Sequence, residues 1–72
     1  MDASAIVECR SDASYAERPM AFIWEGRRLE VAEVVSRWRT PTGVGFRVRT
    51  TQYSVFDLVY ADNLDQWSIH PV

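Results

Sequence analysis

Eight basic residues, all of them arginine, are the side chains of this sequence with the clearest chemistry. Four of them alternate along two neighbouring segments, Arg37 with Arg39 and Arg47 with Arg49. Residues two apart on a β-strand share a face, so each pair predicts two guanidinium groups side by side. Guanidinium groups bind carboxylates and phosphates through two parallel hydrogen bonds. The pattern is typical of a salt-bridged surface, a protein-binding surface or a phosphate-binding surface.

The net charge of −2 is unevenly distributed along the 72 residues. Residues 1–26 carry five acidic residues and two arginines, residues 27–49 carry six arginines and two glutamates, and residues 50–72 carry three aspartates and no basic residue. The segments are therefore at −3, +4 and −3, which sum to −2. A basic middle favours a charged patch if the fold gathers it, whereas the negative total argues against general affinity for nucleic acid.

Residues that usually perform catalysis or bind metal are few. Cys9 and His70 are the single cysteine and the single histidine. A Cys–His nucleophile would require these two side chains to meet across terminal strands. Asp62, Asn63 and Asp65 resemble part of a calcium-binding loop, but the glycine and the distal glutamate of such a loop are missing. The sequence predicts no enzyme, no metal site and no cofactor.

The composition is that of one small globular domain. Apolar residues make up 47% of the chain and charged residues 25%, close to the average soluble protein. A single cysteine permits no internal disulfide, which fits a reducing compartment. No apolar segment approaches the roughly 20 residues needed to span a bilayer, and the N-terminal segment lacks a signal-peptide core. We expect one cytoplasmic domain over residues 1–72, without membrane association.

The spacing of apolar residues predicts five or six short strands and no convincing helix. Residues 1–9 form the first strand, residues 10–19 form a loop or linker, and residues 20–72 form the main β-meander. Gly26 follows Glu25 in a tight hairpin turn, where a positive φ is needed. The clearest strand alternates between two sets of residues, which are Val44, Phe46, Val48 and Thr50 on one face and Gly45, Arg47 and Arg49 on the other.

Residues 31–38 allow two interpretations. Their apolar residues follow helical spacing, but their types favour a strand and no N-cap residue precedes them. We favour a bent strand with one bulge near residues 32–33. After that bulge, the residues expected inside are Val34, Ser36 and Trp38, and those expected outside are Val35, Arg37 and Arg39.

We expect an all-β fold in which a small antiparallel sheet rolls up, either into an SH3-like barrel or into a similarly rolled sheet, because closure removes exposed edges from a short chain. The sequence shows no internal repeat. The expected core consists of Phe22, Trp24, Leu29, Val31, Val34, Trp38, Phe46, Val48, Phe56, Leu58, Tyr60, Trp67 and Ile69.

Three segments resemble a known family: "RPMAFIWEGRRLEVAEVVSRWR", "VFDLVY" and "DQWSIHPV". They are similar to a small uncharacterised bacterial domain with a Pro–aromatic–Trp–Gly–Arg opening, a Val-x-x-Val-hydrophobic-x-x-Trp segment and a closing Trp strand. That domain occurs alone or as a C-terminal appendage of proteins similar to translesion DNA polymerases. The resemblance covers residues 18–72 and implies an association with DNA handling, without catalytic residues. The family usually has a more basic or aromatic residue at Leu29 and often a longer loop at "TPTGVG".

The candidate partner-binding residues are Arg37, Arg39, Arg47, Arg49 and Tyr53. If the "TPTGVG" turn pairs its flanking strands, the four guanidinium groups lie side by side outside. Tyr53 and one of the tryptophans are then the candidate platform for bases. Either Glu30, Glu33 and Asp57 neutralise them, or a partner does. We predict a non-catalytic interaction module that docks onto a protein partner or onto a second copy of itself. The alternative is an accessory nucleic-acid-binding domain that uses the arginines.

Overall fold

A computed structural model describes residues 5–11 and 17–72 of the chain. Its six strands follow one another across one sheet in chain order, each antiparallel to its neighbours, and the described residues contain no helix. The prediction of an all-β, rolled antiparallel sheet is confirmed. The strands are β1 (Val7–Ser11), β2 (Glu17–Trp24), β3 (Arg27–Thr40), β4 (Gly43–Thr50), β5 (Val55–Ala61) and β6 (Gln66–Pro71).

The first two strands differ from their predicted bounds. β1 ends at Ser11, beyond the predicted end of the first strand at residue 9, and β2 begins at Glu17, ahead of the predicted start of the meander at residue 20. The predicted loop over residues 10–19 is therefore shorter than expected. Its residues 12–16, like residues 1–4 of the predicted first strand, lie outside the described residues.

The β2–β3 hairpin forms at the turn that the sequence predicts. Trp24 pairs with Arg27, and the two residues between them, Glu25 and Gly26, have φ angles of 52° and 78°. Two consecutive positive φ angles define a type I′ turn, whose twist matches that of the flanking strands. Gly26 adopts this conformation without steric cost. Glu25 adopts it too, but at a steric cost, because it has a Cβ atom.

The long strand β3 is bent and belongs to both halves of the sheet. It pairs with β2 from Arg27 to Glu30 and with β4 from Val31 to Thr40. Its pairing with β4 skips Ala32 and Val35, so each is the extra residue of a bulge. Bulges bend a strand and increase its twist, which lets one strand turn the corner of a small barrel. The bent strand is confirmed, and the helical alternative is wrong.

The core lies on one side of the curled sheet, which we call the inner face; the opposite side is the outer face. Phe22, Val48 and Leu58 are completely buried there. Phe56 contacts Phe22 and Trp24 edge to face, with ring centroids 5.1 and 5.5 Å apart. Aromatic pairs of this geometry add stability beyond the area that they bury.

The sheet curls far enough for its two ends to touch. The Ala5 amide donates a hydrogen bond of 3.4 Å to the Trp67 carbonyl in β6. This bridge joins the segment before β1 to the last strand.

The register places all but one of the predicted core residues on the inner face; the exception is Trp38.

Candidate functional site

The second bulge in β3 reverses the predicted faces of the residues that follow it. Arg37 lies opposite Phe46, and Trp38 lies opposite Gly45. Directly opposed residues on paired strands point to the same face. Arg37 and its neighbour Arg39 therefore lie on the inner face with Phe46. The predicted faces are therefore wrong for four residues, Ser36, Arg37, Trp38 and Arg39. Each bulge exchanges the faces of the residues that follow it, and the prediction included one bulge where β3 has two.

The Trp38 side chain packs on the outer face, directly over Gly45. A Cβ atom added to Gly45 would lie 2.3 Å from Cε2 of the indole. The glycine therefore makes room for the ring. The sequence contains a signal for this arrangement, since a glycine at an outward strand position leaves space for a large side chain from the next strand.

The two arginines of β4 lie on the outer face, and acidic residues neutralise both. Arg47 donates from Nε to Oδ1 of Asp57 over 2.8 Å and from Nη2 to Oδ2 over 3.0 Å. These hydrogen bonds lower the pKa of Asp57 and raise that of Arg47. Arg49 forms an ion pair with Glu33. The salt-bridged alternative is therefore confirmed for Arg47 and Arg49.

A second group of ion pairs covers the outer face near the N-terminus. Arg28 donates to both carboxylate oxygens of Glu8, at 2.9 and 2.8 Å, and to Glu30 at 3.1 Å. The hydrogen bond from Arg28 is the main reason that the pKa of Glu8 falls below its ordinary value. Ala21 lies between Glu8 and Glu30 in the register and is completely buried. Glu30, predicted to neutralise the candidate arginines, pairs with Arg28 instead.

The inner-face arginines are in a different electrostatic position. The guanidinium carbon of Arg37 lies 5.7 Å from the centre of the Phe46 ring, a cation–π arrangement. Within residues 5–11 and 17–72, neither Arg37 nor Arg39 forms an ion pair. Arg18 and Arg27 also lack an ion pair within these ranges, but they lie singly on two different strands. Among the described residues, Arg37 and Arg39 are thus two neighbouring charges without an acidic partner.

Aromatic rings lie beside this pair of arginines. Trp67 lies 6.0 Å from Phe46 and 5.1 Å from Tyr60, measured between ring centroids. Arg39 lies opposite Val44, which in turn lies opposite Tyr60. We call the inner-face residues Arg37, Arg39, Phe46, Tyr60 and Trp67 the arginine–aromatic face.

An open groove of about 430 Å³ runs along the end of the sheet next to the arginine–aromatic face. Asp62 contributes one negative charge to this groove. The Tyr60 hydroxyl donates a hydrogen bond to the Asp65 carboxylate. The lining residues of the groove are Arg37, Trp38, Arg39, Gly43, Val44 and Asp62.

The five candidate residues therefore do not form one site. Arg47 and Arg49 lie on the outer face, while Arg37 and Arg39 lie on the inner face. Tyr53 is in the turn that joins β4 to β5, where it is 84% exposed with φ of 68°. This turn is at the opposite end of β4 from Arg39, about 20 Å away at the rise of an extended strand. The predicted stripe of four arginines beside Tyr53 is wrong.

Ser68, His70 and Asp57 come together on the outer face in a way that resembles a hydrolytic triad. His70 Nε2 lies 3.0 Å from Ser68 Oγ, and His70 pairs with Asp57 across the strands. A triad requires the carboxylate to orient the histidine ring. Here both carboxylate oxygens accept hydrogen bonds from Arg47 instead, and Ser68 and His70 are exposed. The cluster lacks the geometry of an activated nucleophile.

The other possible nucleophile pair, Cys9 and His70, does not meet. The antiparallel bridge joins Ala5 to Trp67. Cys9 lies four residues beyond the bridge in one direction, and His70 lies three residues beyond it in the other. At the rise of an extended strand, the two are on the order of 20 Å apart.

The described residues contain no cluster of three or more His, Cys, Asp or Glu side chains that could hold a metal ion. They also contain no helix long and apolar enough to cross a membrane. Comparison with protein-family models, curated proteins and solved structures finds no match. The resemblance to the polymerase-associated domain therefore stays a prediction.

Proposed function

We propose that this chain is a non-catalytic interaction module that binds a protein partner through Arg37 and Arg39. The observation that carries the proposal is the contrast in charge between the two faces. The arginines of β4 are neutralised by carboxylates, whereas Arg37 and Arg39 have no ion pair within the described residues. Unneutralised guanidinium groups beside aromatic rings are common at binding surfaces, where arginine and aromatic residues contribute most of the binding energy.

The experiment is a comparison of what three forms of the protein bind. The double variant Arg37→Glu/Arg39→Glu reverses the proposed surface. The double variant Arg18→Glu/Arg27→Glu is the matched control, since it makes the same change in net charge at two exposed arginines outside the described ion pairs. Both variants should fold, which circular dichroism and urea unfolding will verify.

Immobilised protein is exposed to nuclease-treated lysate, and bound proteins are quantified for all three forms. We expect a set of proteins retained by the wild type and by Arg18→Glu/Arg27→Glu but lost from Arg37→Glu/Arg39→Glu. The proposal is wrong if the two double variants lose the same proteins, because net charge alone would then explain retention. It is also wrong if retention that depends on Arg37 and Arg39 occurs only in a parallel sample of untreated lysate, because nucleic acid would then mediate it.

One observation favours nucleic acid as a second candidate. The guanidinium group of Arg37 lies over the Phe46 ring, and Tyr60 and Trp67 lie on the same face. Proteins that bind single strands combine basic grooves with aromatic platforms. Against it stand Asp62 in the same groove and the net charge of −2.

Tryptophan fluorescence will test the nucleic-acid candidate by titration with single-stranded and duplex DNA at about 0.05 M and about 0.2 M salt. Binding that is strong at low salt, falls steeply with salt and requires Arg37 and Arg39 would favour nucleic acid over protein. No binding at the lower salt concentration would exclude it, because phosphate contacts are strongest there.

A further inference from the structure

The half of β3 that carries Arg37 and Arg39 is an edge of the sheet. Pairing between β2 and β3 stops at Ala21 and Glu30. From Glu33 to Thr40, β3 pairs with β4 on one side only, and no strand within the described ranges pairs with its other side. Within the part of the chain that the structure describes, the backbone N–H and C=O groups on that side bond to no strand, and such groups can pair with an added strand.

The regular part of this edge is short. The second bulge places an extra residue at Val35, so uninterrupted pairing with β4 runs from Ser36 to Thr40. Along these residues, Arg37 and Arg39 point to the inner face, and Trp38 between them points to the outer face. Alternate residues of a strand are about 6.7 Å apart, a spacing that a second extended chain reproduces.

We propose that this edge binds an extended acidic segment of a partner protein as an additional strand. The inference rests on the proposed function and names its ligand class. The segment carries two carboxylates at alternate positions, one for Arg37 and one for Arg39, with an apolar residue between them. That apolar residue lies beside Trp38 on the outer face.

Charge complementarity selects this occupant over a second copy of the chain. A second β3 edge would place arginine opposite arginine, and like charges directly across paired strands are unfavourable. Inward-pointing charges and bulges are also features by which proteins prevent edge strands from pairing with copies of themselves. Arg37 and Arg39 therefore reject self-pairing and accept an acidic strand, which is specificity through both repulsion and attraction.

The free backbone edge selects a peptide over nucleic acid. A phosphodiester chain would contact the guanidinium groups but would leave the β3 N–H and C=O groups to water. An added strand bonds to those groups and to the arginines together, which is the mode called β-augmentation.

The test uses fluorescently labelled, end-capped peptides of about ten residues. The first has Glu-Val-Glu at its centre, and the second has the same composition with its two glutamates adjacent. A single-stranded oligonucleotide of the same net charge is the third ligand. Binding is measured by fluorescence anisotropy for the wild type, Arg37→Glu/Arg39→Glu and Arg18→Glu/Arg27→Glu.

We expect the alternating peptide to bind the wild type about tenfold more tightly than the rearranged peptide, since only alternation places both carboxylates on one face. Arg37→Glu/Arg39→Glu should lose at least about tenfold in affinity, whereas Arg18→Glu/Arg27→Glu should stay within about twofold. Bound peptide should slow amide exchange in residues 36–40. A Lys-Val-Lys peptide should bind Arg37→Glu/Arg39→Glu better than it binds the wild type, which separates lost recognition from misfolding.

Three results would overturn the inference. They are equal affinity for the alternating and rearranged peptides, tighter binding of the oligonucleotide, and no binding of any peptide. If peptides fail but proteins are still retained through Arg37 and Arg39, the proposed function stands and only the acidic-strand inference falls. If no peptide binds and no protein is retained through Arg37 and Arg39, the proposed function and the acidic-strand inference are both wrong.

Discussion

The two arginine pairs differ in what lies around them. Arg47 lies 2.8 Å from Asp57 across the outer face, and Arg49 is paired with Glu33. Arg37 and Arg39 lie on the inner face of a strand edge, where the contact shown is with the Phe46 ring rather than a carboxylate. Identical residue types at identical spacing therefore occur once as part of a neutralised surface and once as a pair of charges with no ion pair among the described residues.

Residue spacing alone therefore does not identify a binding site. An arginine inside a sheet has strands on both sides, and each strand can supply an acidic partner. An arginine on an edge has a neighbour on one side only, and the other side is open to a ligand. The number of adjacent strands thus separates the two pairs, and it depends on where β2 stops pairing with β3.

The largest expected effect comes from filling the space under Trp38. In Gly45→Ala, the new methyl group would lie 2.3 Å from the indole, so the ring must move off the sheet. Displacing a packed side chain in this way costs about 1–3 kcal/mol of stability. Urea unfolding measures the loss, and a red-shifted tryptophan emission would report the displaced ring.

The control is Gly45→Ala in a Trp38→Ala background. Without the indole, the added methyl group has space, so the second substitution should cost much less than it does alone. Equal costs in both backgrounds would mean that Trp38 does not lie over Gly45. The assignment of Arg37 and Arg39 to the inner face would then fail as well, because both assignments depend on the same register.

Much of the fold could be predicted because the relevant signals are local. The hairpin at Gly26 follows from the residue that tolerates positive φ, and β4 follows from strict alternation between Val44 and Thr50. These features require only neighbouring residues. The all-β fold was predictable for the same reason.

The faces of Arg37 and Arg39 could not be predicted from local signals. Each bulge adds one residue and reverses the alternation, so the faces depend on whether β3 contains one bulge or two. The number is set by how sharply β3 must bend to join both halves of the sheet, which is a property of the whole fold. Trp38 opposite Gly45 was the one sequence signal for the second bulge.

A smaller effect is expected from removing the acidic partner of Arg47. Asp57→Asn removes the negative charge and one of the two oxygens that accept from Arg47. It should cost at most about 1 kcal/mol of stability, since partly exposed ion pairs contribute little. Chemical unfolding at neutral pH measures the difference. The matched control is Asp62→Asn, which alters a carboxylate outside the described ion pairs. A larger loss of stability in Asp62→Asn than in Asp57→Asn would contradict the stabilising role of the Arg47–Asp57 ion pair on the outer face.

The same ion pair predicts a pH dependence. Hydrogen bonds from Arg47 hold the pKa of Asp57 below its ordinary value, which is about 3.9 in an unfolded chain. The unfolded state therefore binds more protons in this range, and the stabilisation is present above about pH 4 and lost as pH falls through the folded pKa. Stability measured from pH 6 to pH 2 should decline less steeply in Asp57→Asn than in the wild type. Parallel curves of stability against pH for the two proteins would show that Asp57 does not contribute to the pH dependence.

The smallest effect on stability is expected at the inner-face arginines. Arg37→Thr/Arg39→Thr removes one exposed cation–π contact, so the free energy of unfolding should change by about 0.5–1 kcal/mol at most. Self-association should change instead, because threonine favours strands and the edge loses its charges. Light scattering over a concentration series should show association in the threonine variant, whereas Arg37→Glu/Arg39→Glu, which keeps charges on the edge, should stay monomeric. If the threonine variant remains monomeric at high concentration, the arginines do not protect this edge, and their role rests on ligand binding alone.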